Sequence, residues 1–324
     1  TVADGIYLWT HDTQVSGSGD FVSTDYASYS LLGGVNPTGG PLPDKNLGSG
    51  QGFFVRAADD AAGGSVRFTN EMRLKEANDL FFKGSVTKSK EVPRFRSDIS
   101  KIWLDLKSDQ DGRDQILIGF KNELSKAVDP GYDVPKFKSS SNPVKFYSMS
   151  GKDKFAIQGL KTFVSTRRIR MGFEIKESPR NMTVSISRRE GEITKSNVYL
   201  YDRKLKIQHD LTKSDYEFTQ LRSGDFPNRF ELRFTDMEDR EWDSGPSMNF
   251  RILKAYNQHL LISASHKLAS LTLYDFQGNE IYKLSPQKSE VVIDVSMIRS
   301  GSLIIISGVA ENGEVVTKKT LISE

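Results

Sequence analysis

Short runs of alternating apolar and polar residues, separated by turns rich in Gly, Asn and Asp, most constrain how this chain can fold. Alternation with a period of two places every second side chain on one face of an extended strand. One set lies at residues 101–107, 115–120, 144–147, 154–159, 169–175, 182–188, 197–202, 208–211, 216–220 and 229–235. A second set lies at residues 250–255, 260–264, 271–274, 280–284, 291–295, 303–307 and 315–322. So many short strands at near-regular spacing predict an all-β chain of consecutive antiparallel β-sandwich modules, either jelly-roll or immunoglobulin-like.

Changes in composition divide the chain into three predicted modules. Residues 1–86 form a β-rich module with strands at 6–9, 51–56 and 66–68, and they begin so close to a strand that we expect this module to be truncated at its N-terminus. The mixed-charge stretch 87–98 leads to a β-sandwich over 99–240. The charged, turn-rich stretch 236–246 then leads to a C-terminal sandwich over 247–324.

Composition excludes some classes of function. Cysteine is absent, so each module must be stabilised by a hydrophobic core rather than by disulfides. The net charge of +3, from 45 basic and 42 acidic residues, is nearly balanced and gives no basic stripe for a nucleic-acid partner. No apolar run approaches the ~20 residues that span a bilayer.

Few residues form a pattern suited to catalysis or to metal binding. Asp109, Asp111 and Asp114 surround a Gly turn and predict a Ca²⁺ site, because hard cations prefer carboxylates at alternate positions. A solvated hairpin turn is the favoured explanation of the same residues. The scattered histidines lack zinc-ligand spacing, and no Gly-x-Ser-x-Gly nucleophile elbow or phosphate-cradling loop occurs. We therefore predict a protein that is not an enzyme and has no cofactor other than this candidate Ca²⁺.

Two surface patterns suggest a carbohydrate ligand. Tyr7, Trp9, Tyr26 and Tyr29 could stack on sugar faces, although filling a sandwich core is the favoured interpretation. The arginines at 167–170 and 188–189 could meet the phosphates of lipopolysaccharide, although a solvated strand face is the favoured interpretation.

The C-terminal strands are joined by turns with strong signals. Gly278 lies where a hairpin needs a residue that tolerates positive φ, and Asn312-Gly313 is among the strongest short-range hairpin signals. Lys318 and Lys319 lie in the last strand, where a charged edge prevents pairing with other chains.

The order of these parts resembles the C-terminal sorting domain of substrates of the type IX secretion system of Bacteroidetes. The resemblance is carried by residues 273–281, 292–296, 300–301, 311–313 and 318–322. Within them, the sorting-signal residues that the resemblance implies are Tyr274, Asp275, Gly278, Asp294, Gly301, Asn312, Gly313, Lys318 and Lys319. The segments upstream are similar to a structural β-rich region found before the sorting domain in many flavobacterial surface proteins.

The resemblance implies a secreted cell-surface protein that is exported through the outer membrane. Its implied partners are the type IX translocon, an outer-membrane β-barrel shuttle protein and a sortase-like peptidase that attaches the product to lipopolysaccharide. The implied cleavage lies in residues 236–247. The alternative from the residues themselves is a carbohydrate-binding or adhesin module in which residues 1–240 bind a polysaccharide, and both hypotheses remain open at this point.

Overall fold

A computed structural model describes residues 2–10, 25–57, 65–75, 82, 99–110, 112–125, 127–136, 143–178, 180–235, 248, 250–254 and 258–322. These residues form 21 strands in three sheets and two short 3-10 helices, Asn70–Met72 and Gly191–Lys195. The prediction of an all-β chain of antiparallel sandwich modules is confirmed. Both predicted linkers, 87–98 and 236–246, lie outside the described residues.

The first sheet has four strands in the order β3-β2-β1-β4. They are β1 (Val2–Trp9), β2 (Tyr26–Ser30), β3 (Gly33–Val35) and β4 (Phe54–Ala57). The strand predicted at residues 66–68 is wrong. Val66 and Phe68 are exposed and pair with no strand of the described chain, so their alternation has no face to cover.

The second sheet is larger and curls around one core. Its strands are β5 (Ser100–Ser108), β6 (Arg113–Phe120), β7 (Val134–Pro135), β8 (Val144–Ser150), β9 (Asp153–Leu160), β10 (Ile169–Ile175), β11 (Arg180–Glu190), β12 (Tyr199–Asp202), β13 (Ile207–Asp210), β14 (Tyr216–Gln220) and β15 (Gly224–Arg233). Their order is β13-β12-β15-β10-β8-β9-β6-β5-β11-β14, with β7 on β9. The β6–β9 pair is parallel, and the other pairs in this sheet are antiparallel.

Alternation along these strands directs apolar side chains from both ends of the sheet into the same interior. Leu104, Phe146, Phe173, Phe218 and Phe230, for example, are buried in one cluster although they come from five different strands. This shared burial is why the sheet curls rather than remaining flat.

The first sheet packs against the second through a separate core. Tyr7 and Leu32 of the first module are buried together with Trp103 and Leu117 of the second. The Trp103 indole N–H also donates to the Gly34 carbonyl at 2.8 Å. Gly119 leaves room for Leu32 to pack against the second sheet, because a Cβ at residue 119 would lie 2.8 Å from Leu32 Cδ2. The first two modules therefore share buried side chains.

The third sheet forms the C-terminal module. Its strands are β16 (Phe250–Lys254), β17 (His259–Tyr274), β18 (Glu280–Leu284), β19 (Lys288–Asp294), β20 (Leu303–Ala310) and β21 (Val315–Leu321). The first half of β17 pairs with β16 and β19, and the second half pairs with β18 and β20, while β21 extends β20. The long β17 thus belongs to both faces of a small sandwich, whose core is distinct from the other two.

Candidate recognition surface and inter-module junction

Asp275 organises the turn between β17 and β18. Its Oδ1 accepts the backbone N–H groups of Gln277 and Asn279, both at 2.8 Å, and its Oδ2 accepts the Asn279 side-chain amide at 2.8 Å. These hydrogen bonds, led by the Asn279 side chain, lower the pKa of Asp275. Gly278 completes the turn with φ +90°, in the left-handed region that favours glycine. Both residues therefore fix the shape of this turn.

The other turns of the C-terminal module use the same chemistry. Asp294 Oδ1 accepts the Ser296 N–H at 2.8 Å, and the pKa of Asp294 is lowered chiefly by this backbone bond. Gly301 has φ +86° and donates to the Ile322 carbonyl at 2.8 Å. The β20–β21 hairpin is closed by Gly313, at φ +85°, whose N–H donates to Ala310. Asn312 supports it, because its Oδ1 accepts the Glu314 N–H at 3.1 Å.

The β18–β17–β20–β21 face of the module is open to solvent and partly apolar. Leu303 faces Leu321 across the β20–β21 ladder, and both side chains are exposed. Along β21, Lys319 lies between this leucine pair and the exposed Val315. Lys318 is exposed on the same strand. Tyr274, half-buried, pairs with Ile305 at the middle of this face. The predicted sorting-signal residues thus lie in turns or on the β17, β19 and β21 strands of one module.

A buried ion pair between β12 and β15, near one end of the curled second sheet, is linked to β14 at the other end. Arg229 of β15 donates through Nε to both oxygens of Asp202 at 2.9 Å, and through a terminal nitrogen to Oδ2 at 2.6 Å. Tyr216 of β14 donates its hydroxyl to the same Asp202 Oδ2 at 3.0 Å. The backbone N–H groups of Lys204 and Leu205 also donate hydrogen bonds to Asp202 Oδ1. We call Asp202, Tyr216 and Arg229 the seam.

Glu290 approaches the seam from the C-terminal module. It lies on β19, which runs beside β14, and its Oε2 accepts the Thr219 N–H of β14 at 2.5 Å. Only 7% of Glu290 is exposed, and its Oε1 has no hydrogen-bond partner among the described residues. Burial raises the pKa of Glu290 to about 7, against the opposing attraction of Arg229 and the Thr219 hydrogen bond.

Sequence reasoning did not identify Glu290. The alternation of β19 places Val291, Ile293 and Val295 in the core of the module, so Glu290 falls on the other face and looks solvated. It is buried only because β14, 71 residues earlier in the chain, covers that face. Nothing in the local sequence signals such a neighbour.

The proposed calcium ligands have separate partners. Asp114 is fully buried, paired with Lys136 at 2.5 Å, and accepts the backbone N–H groups of Phe146 and Gln115. Asp109 is exposed and accepts the Asn181 side-chain amide at 2.8 Å, while Asp111 lies outside the described residues. Within the described part of the chain, no three His, Cys, Asp or Glu side chains are grouped to hold a metal ion. The structure thus adds no support for Ca²⁺ binding here.

The aromatic residues predicted as a sugar platform are largely covered. Tyr7 is buried in the core shared by the first two modules, and Trp9, Tyr26 and Tyr29 are half-buried. Trp9 and Tyr26 pair across β1 and β2, and Tyr26 contacts Phe54 edge to face. Of the arginines, Arg188 pairs with Glu190 and stacks on Trp103, and Arg189 donates to the Ser196 carbonyl. These contacts fit structural roles.

Comparison with known proteins identifies the larger part of the chain. A family described as a domain of unknown function, DUF8693, matches residues 1–234 of the 324. The chain belongs to the DUF8693 family. No curated protein matches it.

Similar solved structures include a central fibronectin-III array of RIM-binding protein, which is 10% identical over 61% of this chain and 90% of that one, with a TM-score of 0.18. A β-1,2-glucanase from Parabacteroides distasonis is 9% identical over 60% of this chain and 37% of the glucanase, with a TM-score of 0.17. At these TM-scores neither likeness bears on fold or function.

The DUF8693 match has a clear structural extent. It covers the first two sheets and ends just after β15, so the C-terminal module lies beyond it. The seam belongs to the DUF8693 domain, whereas Glu290 belongs to the module outside the match. In the described part of the chain, no helix is long and apolar enough to cross a membrane.

Proposed function

We propose that this chain is part of a secreted cell-surface protein whose C-terminal module is a type IX export signal. In this proposal the translocon and a β-barrel shuttle protein bind the module, and a sortase-like peptidase cleaves in residues 236–247 and anchors the product at the surface. The DUF8693 domain is then the exported part and acts without catalysis. The proposal rests on the resemblance of residues 273–322 to sorting domains.

The separateness of the C-terminal module supports this proposal. A transferable signal needs its own fold, and this module has its own core, centred on Phe250, Ile262, Leu273 and Ile306, outside the family match. A recognised signal also needs an accessible surface. The exposed β21 strand and the apolar pairs beside Lys319 provide one, because exposed sheet edges and faces are surfaces to which partner strands bind.

Truncation of the chain before Val315 tests the proposal in the native host. Loss of β21 removes a whole strand from the proposed signal, so we expect the truncated protein to accumulate inside the cell envelope. Surface display is measured by antibody labelling of intact cells and by protease accessibility. Normal display of the truncated protein would rule out export through this module.

A charge reversal separates recognition from loss of folding. Lys318 and Lys319 are exposed, so K318E/K319E leaves the core intact while changing the surface of β21. We expect K318E/K319E to fold and to lose surface display, and the matched variant K318R/K319R, which keeps both charges, to be displayed normally. Equal display of the two variants would show that the lysines only protect a strand edge.

A further inference from the structure

The C-terminal module and the DUF8693 domain meet through a polar contact between β19 and β14. The apolar core of the module and that of the curled second sheet have no residue in common. Where β19 meets β14, the connecting hydrogen bond is from the Thr219 N–H to Glu290 Oε2. This bond occupies a donor at the outer edge of β14, which pairs with β11 on its other side. Docking therefore covers the outer edge of β14 with the outer face of β19.

The surroundings of Glu290 offer few hydrogen bonds to an ionised carboxylate. Its carboxyl is almost fully buried and has one hydrogen-bond donor among the described residues, whereas Asp202 beside it accepts several. The nearby guanidinium of Arg229 is already held by both oxygens of Asp202. Ser263, directly opposite Glu290 on β17, is also buried with its hydroxyl unpartnered among the described residues. A buried carboxylate with so few donors is costly, and a neutral carboxyl is not.

We propose that Glu290 is a proton-controlled latch between the two parts of the chain. With its carboxyl neutral, the C-terminal module stays docked on the DUF8693 domain. Ionisation favours release, which returns the carboxylate to water and uncovers the edge of β14 and the outer face of β19. This inference goes beyond the proposed export function and does not depend on it, since it concerns how the module is held and not what binds it.

The surrounding charges set the direction of the effect. From the DUF8693 domain, Arg229 and Lys204 attract the anion, and Asp202 repels it. Tyr216 of β14 also interacts with Glu290; the next residue on that strand, Glu217, is exposed, and Arg222 follows the strand. From the module itself, Lys288 lies two residues away on the same face of β19, and Arg251 lies on that face of β16. Desolvation outweighs the net attraction of these groups, so the docked state retains the proton up to about pH 7.

The sign of the pH dependence follows from this shift. The pKa of Glu290 is about 7 when docked, against 4.5 for an ordinary glutamate. A carboxyl whose pKa is raised by docking favours the docked state fully below about pH 4.5, and this contribution is lost as the pH rises through about 7. A shift of this size changes the docking equilibrium by ~300-fold across that window.

Interspin distances in the full chain test the latch. The chain has no cysteine, so K195C and M297C place two spin labels at exposed positions, one in each part, without background labelling. We expect a narrow distance distribution at pH 5 and a broad, longer one at pH 8. E290Q, which keeps the shape of the side chain and cannot ionise, should remain narrow at both pH values. E280Q on β18 removes the same charge from an exposed site and should behave like the unmodified side chain.

Two outcomes would overturn the latch. One is a distance distribution that does not change between pH 5 and pH 8 when Glu290 is present, a measurement that needs no variant at this position. The other is broadening at pH 8 in E290Q equal to that seen with glutamate. Circular dichroism of each labelled protein at both pH values confirms that the sheets remain folded, so broadening reports release rather than unfolding.

Discussion

At the scale of single residues, Glu290 gives the sharpest expectation about stability. Since only 7% of this residue is exposed, its shift from 4.5 to about 7 corresponds to a cost of up to about 3 kcal/mol for keeping it ionised in the folded chain. The cost is absent below about pH 4.5 and complete above about pH 7. We expect E290Q to be more stable than the glutamate form at pH 8 by an amount approaching this value, relative to their difference at pH 4.5.

Urea denaturation of both forms between pH 4.5 and pH 8 measures this difference. The difference in unfolding free energy should rise across the window and then level off. E280Q is the matched control, because Glu280 is exposed and its replacement should give a difference that hardly changes with pH. A flat difference for E290Q would show that Glu290 is solvated or compensated in the folded chain.

Residue roles were predictable where the cause is local. Gly278 and Gly313 adopt positive φ because short hairpins require it, and the sequence carries that signal within a few positions. Two partners of Asp114, Lys136 and Phe146, lie 22 and 32 positions away. A turn rich in aspartate can therefore suggest a cation site when a folded neighbour already satisfies one of its carboxylates.

At the scale of elements, alternation predicted most strands closely. The strands at 169–175, 216–220 and 280–284 have the predicted bounds. Predicted strands at 260–264 and 271–274 are joined in the structure into the single β17, His259–Tyr274. The polar stretch between them interrupted the pattern, although the backbone continues where the strand passes from one face of the sandwich to the other. Pairing order, including the parallel β6–β9 pair, depends on contacts that alternation does not encode.

The seam that joins the ends of the second sheet depends on a fully compensated ion pair. Asp202 and Arg229 are both buried, so D202A leaves a cation without its partner in the interior. We expect D202A to lower the unfolding free energy by about 3–5 kcal/mol. Removal of the cation as well, in D202A/R229M, should be less destabilising than D202A alone, because no uncompensated charge remains.

Equilibrium urea denaturation followed by tryptophan fluorescence compares these variants, since Trp103 is buried in the same domain. The control is E192A, which breaks the exposed Lys195–Glu192 pair and should cost under about 1 kcal/mol. If D202A/R229M were more destabilised than D202A, Arg229 would stabilise the fold through its hydrogen bond to Gln220 and its contacts with Phe218 and Phe230 rather than through the charge pair.

At the scale of the whole molecule, the module boundary predicted from composition at residues 87–98 does not coincide with a separation between hydrophobic cores. Composition changes at 87–98 predicted a boundary there, yet Tyr7 and Leu32 share a core with Trp103 and Leu117 on the other side of it. No sequence pattern links these positions, because the contact between Trp103 and Gly34 joins residues 69 apart. The family match, which runs through residue 234 without a break at this stretch, agrees with the shared core.

Limited proteolysis distinguishes a linker in the sequence from a separation in space. Residues 87–98 and 236–246 are charged and poor in apolar side chains, so we expect a protease to cut there first and to leave resistant pieces near 99–236 and 247–324. After the first cut, the N-terminal piece should stay bound, because the core around Trp103 holds it. After the second cut, the C-terminal piece should elute separately at pH 8 and together with the rest at pH 5, if Glu290 controls docking. Mass spectrometry identifies the cuts, and size-exclusion chromatography at the two pH values identifies the association.

Protection of 236–246 combined with cleavage inside residues 271–322 would mean that the C-terminal module does not fold as a unit. That result would remove the basis for treating the module as an export signal.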